Sequence, residues 1–261
     1  MCYTTYLKVE LVALNMAYEE MISKIKRFFR IGYFTVVMYV GTHAIVFLLF
    51  PIWFVLTLFN PASISKLKEL FGKLLFIILH KRIEVTGLDN LDKNKRYLIV
   101  ANYPSGYAGF VMMMLFPKAS VMAHSFMSKV PIISNMLSRN GFIYAHRTGY
   151  QKTKHLISQM IERSKSDSIV ILPEGRITRD AEIHEFKRGF LLILRQSSLD
   201  LLPITLSGFY TLKAFMRPYV DPDTELRVNI HEPIIQDTIR TITDEQLLSA
   251  VQNTIEGSYK P

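Results

Sequence analysis

Between Ile31 and Ser65 the chain carries no lysine, arginine, aspartate or glutamate. Most of that interval, IGYFTVVMYVGTHAIVFLLFPIWFVLTLF, is almost continuously apolar. At about 1.5 Å of rise per helical residue it exceeds the ~20 residues that cross a bilayer core. A helix buried in a soluble core normally keeps a polar stripe, and this segment has none. It starts too late and runs too long for a secretory signal, so residues 31–60 read as a retained membrane anchor. Both flanks are basic, with Lys24, Lys26, Arg27 and Arg30 before it and Lys66, Lys68, Lys73, Lys81 and Arg82 after it. That symmetry gives no preferred direction to a single span and favours both ends on one side of the membrane. Gly41, Thr42 and His43 interrupt the run, and Pro51 removes a helical hydrogen bond. Two shorter helices dipping into one leaflet are therefore expected, with one tilted, kinked span as the alternative. Residues 1–30 form a basic lead-in, and the amphipathic texture of MAYEEMISKIKRFFR makes Met16 an alternative translation start.

The chain has 31 Lys+Arg against 22 Asp+Glu, a net charge of +9 that suits anionic partners. Nucleic acid is not among them, because no recognition motif or aromatic-basic platform accompanies the charge. The single cysteine, Cys2, excludes a disulfide framework within one chain and any cysteine-based zinc cluster. No metal site is expected.

After residue 80 short apolar runs alternate with longer amphipathic stretches, the texture of an α/β domain. Strands are predicted at Ile83–Val85, Tyr97–Ala101, Ser120–Met122, Phe142–Tyr144, Ser168–Leu172, Leu201–Leu206 and Arg227–Ile230. Helices are predicted at Tyr107–Phe116, Ser125–Arg139, Gly149–Lys165, Arg188–Gln196 and Asp244–Ser258. No repeat or long linker interrupts residues 61–261, which read as one domain. Residues that act in such sheets gather just beyond the strand ends.

The most informative strand end is SIVIL running into Pro173-Glu174-Gly175-Arg176-Ile177-Thr178-Arg179. Glycine permits close backbone approach, and arginine gives forked, charge-assisted hydrogen bonds, so the loop has the makings of a phosphate cradle. Phe186-Lys187-Arg188-Gly189 adds positive charge at a helix start. Taken alone, such a loop is also what an ordinary solvated turn looks like. The Met112-Met113-Met114 run is read as core, with an acyl-chain tunnel as the sharper alternative. Lys152, Lys154 and His155 read as a solvated face.

The order of motifs is more specific than any one of them. GLDNL (87–91), YLIVAN (97–102), SFMSKVPIISNMLSRNGFIYAHR (125–147), ILPEGRIT (171–178), FKRG (186–189) and LLPITLSG (201–208) resemble the glycerophospholipid acyltransferase family, which includes 1-acylglycerol-3-phosphate acyltransferases. The resemblance covers roughly residues 80–235, with HEPI (231–234) similar to the family's closing strand. It implies an α/β fold, a glycerolphosphate-acyltransferase-like mixed sheet flanked by helices, with N-terminal hydrophobic membrane helices. Glu174–Thr178 resembles a recognised variant of the family's third block. Residues 141–147, ending in Arg147, resemble the second, and Pro203 the fourth. Carried over residue by residue, the resemblance implies substrate-phosphate binding by Glu174, Gly175, Arg176, Arg179, Lys187, Arg188 and Arg147.

The first block departs from the family. Where the resemblance implies a catalytic histidine the chain has Tyr103, and where it implies the partner aspartate it has Ala108. In the family's chemistry the histidine takes the acceptor's hydroxyl proton as that oxygen attacks an acyl thioester, and the aspartate orients it. A phenol with a pKa near ~10 is a poor base at neutral pH. Loss of a general base costs about 10²–10⁴ in rate. His124, at a strand end, is the replacement base singled out. His146 and His184 read as surface or phosphate-contacting residues, and Ser105 belongs to a turn.

The resemblance thus implies a membrane-associated O-acyltransferase moving a fatty acyl group from acyl-CoA or acyl-carrier protein to a lysophospholipid-type hydroxyl. Membrane lipid, the lysophospholipid acceptor and acyl-carrier protein are the partners, and no cofactor is bound. The expected location is the cytoplasmic face of a membrane. The missing first block leaves whether the chain is an enzyme open. The alternative is an inactive family member that binds lipid or phosphate ligands at the membrane.

Overall fold

The computed structural model describes residues 2–60, 63–92, 94–124, 137–145 and 150–261. Its centre is a seven-stranded sheet, β1 (Ile83–Thr86), β2 (Tyr97–Ala101), β3 (Ser120–His124), β4 (Phe142–Ala145), β5 (Ile169–Ile171), β6 (Asp200–Ser207) and β7 (Leu226–Ile230), in the order β1-β7-β6-β2-β5-β3-β4. Strands β6, β2, β5, β3 and β4 are parallel, while β7 pairs antiparallel with β6 and carries β1 parallel to itself. The sheet is mixed, as the resemblance implied, and each predicted strand has its counterpart.

Central β2 is buried along its whole length, as suits a parallel strand covered on both faces. Alternation then divides its side chains. Tyr97, Ile99 and Ala101 join Leu75, Phe76, Val111 and Met112 on one side, beneath α2 (Ile64–Ile78) and α3 (Tyr107–Leu115). Leu98 and Val100 join Phe190, Leu194, Leu247 and Val251 on the other, beneath α5 (Gly189–Arg195) and α8 (Asp244–Ser258). Other helices among the described residues are α4 (Tyr150–Ser164), α6 (Phe209–Leu212) and α7 (Gln236–Thr241). Helix α8 begins at a capping box: Thr243 accepts from the Gln246 N–H, and the Gln246 side chain accepts from the Thr243 N–H. Met112 and Met113 are buried, so at least these two of the methionine run are core. The helix predicted over 125–139 lies outside the described residues up to 136.

The apolar segment corrects the expectation of two dipping helices. Residues Cys2–Phe59 form one continuous helix, α1, with Pro51 inside it. Gly41 does not break it: a Cβ there would stand 2.6 Å from Ile78 Cγ2, so the missing side chain is what lets α2 approach. Gly72 serves α2 likewise, since a Cβ would stand 2.8 Å from Met114 Cβ.

Helix α1 lies along the α/β domain. At one end Arg27 pairs with Asp221 at 3.0 Å, and Arg30 pairs with Asp223. Farther on, Thr35 accepts from the Val220 N–H, and Tyr39 donates to the Pro218 carbonyl. At the other end Asn140 donates to Thr57 at 3.1 Å, and the Trp53 ring meets Phe71 and Phe142. Met38, Ile45 and Trp53 are buried on this side, while Tyr33, Val36, Val40, Phe47, Val55 and Phe59 are exposed on the other.

Candidate functional site

The carboxyl ends of β2 and β5 meet at one edge of the sheet, and Glu174 joins them. This glutamate is only 3% exposed. One oxygen accepts the Tyr103 N–H at 2.6 Å and the other accepts the His184 N–H at 3.2 Å. Burial raises its carboxyl above the ordinary range, and the two N–H bonds oppose that rise. A second tie runs from the Thr178 N–H to the Tyr103 carbonyl at 3.0 Å. The loop after β5 is thus fastened on both sides of Tyr103. On the other flank of β2, Asn102 donates to the Leu206 carbonyl and accepts from the Leu206 N–H, clamping β2 to β6.

Gly175 takes a left-handed conformation, φ +68°, which a side chain would strain. Lys187 fills the space above it: a Cβ on Gly175 would come within 2.6 Å of Lys187 Nζ. The Lys187 N–H donates to the Pro173 carbonyl, which fixes the two segments side by side. Arg176 is exposed next to this pair and makes no hydrogen bond or ion pair among the described residues. The Lys187 ammonium over the Gly175 backbone, with the exposed Arg176 next to it in the chain, can receive a phosphate or another oxyanion.

The structure sorts the remaining predicted residues. Glu174 faces backbone N–H groups and serves as a tie, not as an anion contact. Arg188 turns its guanidinium to Glu245 at 3.0 Å, so its charge is matched away from the cradle. Arg179 sets its guanidinium over the Phe215 ring at 5.8 Å, and its carbonyl accepts from the Tyr210 hydroxyl. His124 ends β3, which lies beyond β5 from β2, about 10 Å away at ordinary strand spacing. His146 and Arg147 lie outside the described residues. Ser105 is buried in the turn before α3, where its hydroxyl accepts the Tyr107 N–H. Ala108 is fully buried in the first turn of α3.

The sequence reading named Thr178 only as part of the loop motif and gave neither it nor Asp180 a role. The Thr178 hydroxyl lies 2.9 Å from Asp180 Oδ1, and that carboxylate oxygen is 3.1 Å from His184 Nε2. The Thr178-x-Asp180 spacing, in which hydroxyl and carboxylate organise a local turn, was the available signal.

Fold and site together define an acyltransferase-type α/β domain, with a cationic loop at the carboxyl edge of its sheet. Comparison with known proteins agrees. The Acyltransferase family matches residues 82–207. A 1-acyl-sn-glycerol-3-phosphate acyltransferase of Saccharomyces cerevisiae is 24% identical over 147 residues, 54% of this chain and 48% of that protein. One of Borreliella burgdorferi is 24% identical over 179 residues, covering 67% of this chain and 70% of that protein. The crystal structure of the 1-acyl-sn-glycerophosphate acyltransferase of Thermotoga maritima shares the fold, with a TM-score of 0.74 at 21% identity over 88% of this chain and 95% of that one. The chain spans about half the length of the yeast and Brassica napus relatives it matches. The family match, these relatives and the shared fold support the glycerophospholipid acyltransferase family.

Proposed function

We propose that this chain transfers a fatty acyl group from a thioester donor, acyl-CoA or acyl-carrier protein, to the free hydroxyl of a 1-acylglycerol-3-phosphate-type acceptor. The observation that carries the reading is the cradle of Gly175, Arg176 and Lys187, fastened through Glu174 and Thr178 to the strand end that bears Tyr103. A phosphate held there places the glycerol hydroxyls near Tyr103. The thioester supplies its own activation, so no bound cofactor is required.

The reaction takes place at the cytoplasmic face of a membrane. From Arg27 to Thr57, about 45 Å of helix, α1 touches the domain on one side. Its other side is an apolar face with Val40 65% and Phe47 80% exposed. A helix tethered to the same domain at both ends lies within one leaflet instead of crossing the bilayer, with its outer face in lipid. Ile77 of α2, Phe215 and Met216 are further exposed apolar side chains.

The test is transfer by the purified full chain in detergent micelles. Labelled long-chain acyl-CoA and acyl-carrier protein serve as donors, and a panel of lysophospholipids as acceptors. Product above a boiled control is expected, with Arg176→Ala and Lys187→Ala each raising KM for the phosphate-bearing acceptor by about tenfold or more. One observation, Tyr103 and Ala108 in place of the family's histidine and aspartate, favours a second reading of ligand binding without turnover. Saturable binding with no product across the panel would establish that reading and refute the first.

A further inference from the structure

The family's base position holds a tyrosine and its orienting position a buried alanine, yet a histidine–carboxylate pair stands on the adjoining loop. His184 Nε2 lies 3.1 Å from Asp180 Oδ1. The pair is bound to the Tyr103 backbone by two routes. Glu174 grips the His184 N–H with one oxygen and the Tyr103 N–H with the other. Thr178, whose hydroxyl meets Asp180 at 2.9 Å, donates its own N–H to the Tyr103 carbonyl. The His184 backbone is therefore held beside that of Tyr103, which occupies the position of the family's base, on the loop that carries the Gly175–Lys187 cradle, and Asp180 orients its imidazole. It is 31% exposed, so an acceptor hydroxyl can reach it.

We propose that His184 is the general base of the acyl transfer, oriented by Asp180, in place of the family's missing histidine. This rests on the transferase reading above. Asp180 is the positioning residue. Its carboxyl is held below the ordinary range, first by the Thr178 hydroxyl, so it stays ionised at neutral pH. As an acceptor it selects the Nε2–H tautomer and leaves the Nδ1 lone pair available. As the acceptor oxygen bonds to the thioester carbonyl carbon, its proton passes to Nδ1. When the tetrahedral intermediate collapses, the carbon–sulfur bond breaks and the departing sulfur takes that proton. The products are an ester and a free thiol, and His184 returns to its neutral form.

The experiment uses the full chain in vesicles containing 1-acylglycerol-3-phosphate, with long-chain acyl-CoA as donor. His184→Ala is expected to lower kcat by about 10²–10⁴ while leaving both KM values within a few-fold. Free imidazole should restore part of that rate in the variant and leave the wild type unchanged. Asp180→Asn should lower kcat by about tenfold or more. His184→Gln, which keeps a donor for Asp180, decides the matter if the alanine variant does not fold. A wild type that transfers acyl groups alongside His184 variants that match it would overturn the base assignment alone. A loss that imidazole does not relieve would also overturn it, by making His184 a structural residue. A wild type inactive with every donor and acceptor would remove the transferase reading, and the base with it.

Discussion

Replacing Glu174 separates its work as a tie from the work of the cations beside it. Glu174→Ala strips the acceptor from two N–H groups, those of Tyr103 and His184, at a residue that is only 3% exposed. Each buried donor left unpaired costs about 1–3 kcal/mol. Part of that is offset because the carboxylate's own burial, visible in its raised pKa, no longer has to be sustained. The net loss is about 2–4 kcal/mol, a fall in melting temperature of roughly 5–12 °C for a chain of this size. Glu174→Gln keeps one acceptor and turns a donor toward the other N–H, so its loss is smaller, about 1–3 kcal/mol. The folded state holds the Glu174 proton to higher pH than the unfolded chain does. Wild-type stability from this group therefore declines as pH rises above its ordinary value of 4.5, and the gap to Glu174→Gln narrows toward neutrality. Thermal denaturation in micelles, followed by circular dichroism across that pH range, measures both effects. Arg176→Ala, on an exposed residue, should melt within about 2 °C of wild type. A Glu174→Ala protein as stable as Arg176→Ala would refute the tie.

Other perturbations test other parts of the account. Lys68 is buried, donates to the Ala119 and Asn140 carbonyls, and is held down at about 8 by burial, against an opposing pull from Asp167. Wild type should therefore gain on the order of 3 kcal/mol over Lys68→Met between about pH 7 and 10.5, and a flat difference in urea denaturation would contradict this. Gly175→Ala puts a side chain at φ +68° against Lys187 Nζ, so it should cost about 1–2 kcal/mol and raise acceptor KM by threefold or more. Tyr259 has a buried hydroxyl without a hydrogen-bond partner among the described residues, so Tyr259→Phe should leave the melting temperature unchanged or raise it.

What was legible in the sequence was whatever depends on local pattern. The buried run YLIVA has the form of a covered parallel strand, and Thr243 with Gln246 marks the start of α8. The loop from Glu174 to Thr178 could be placed at a strand end because the apolar run SIVIL stops at a proline. Partners distant in sequence were not legible. Gly41 has the form of a helix breaker, and only the approach of Ile78, thirty-seven positions away, makes it a contact. Helix α2 was missing from the predicted elements, although its buried Leu67, Phe71 and Leu75 follow helical spacing, because the apolar run before it dominates the region. Glu174 was assigned to phosphate by association with its neighbours, whereas its burial turns it to backbone N–H groups. His184 and Asp180 lie four residues apart outside any helix, so no periodicity brings them together, and only the folded loop does.

The central claim, acyl transfer to a phosphate-bearing acceptor, is tested most directly by one comparison of initial rates. Native full-length chain in vesicles receives long-chain acyl-CoA with either 1-acylglycerol-3-phosphate or the same monoacylglycerol lacking its phosphate. The account predicts product from the phosphate-bearing acceptor at about ten times or more the rate from its phosphate-free counterpart. Equal rates on the two acceptors, or no product from either, would contradict it.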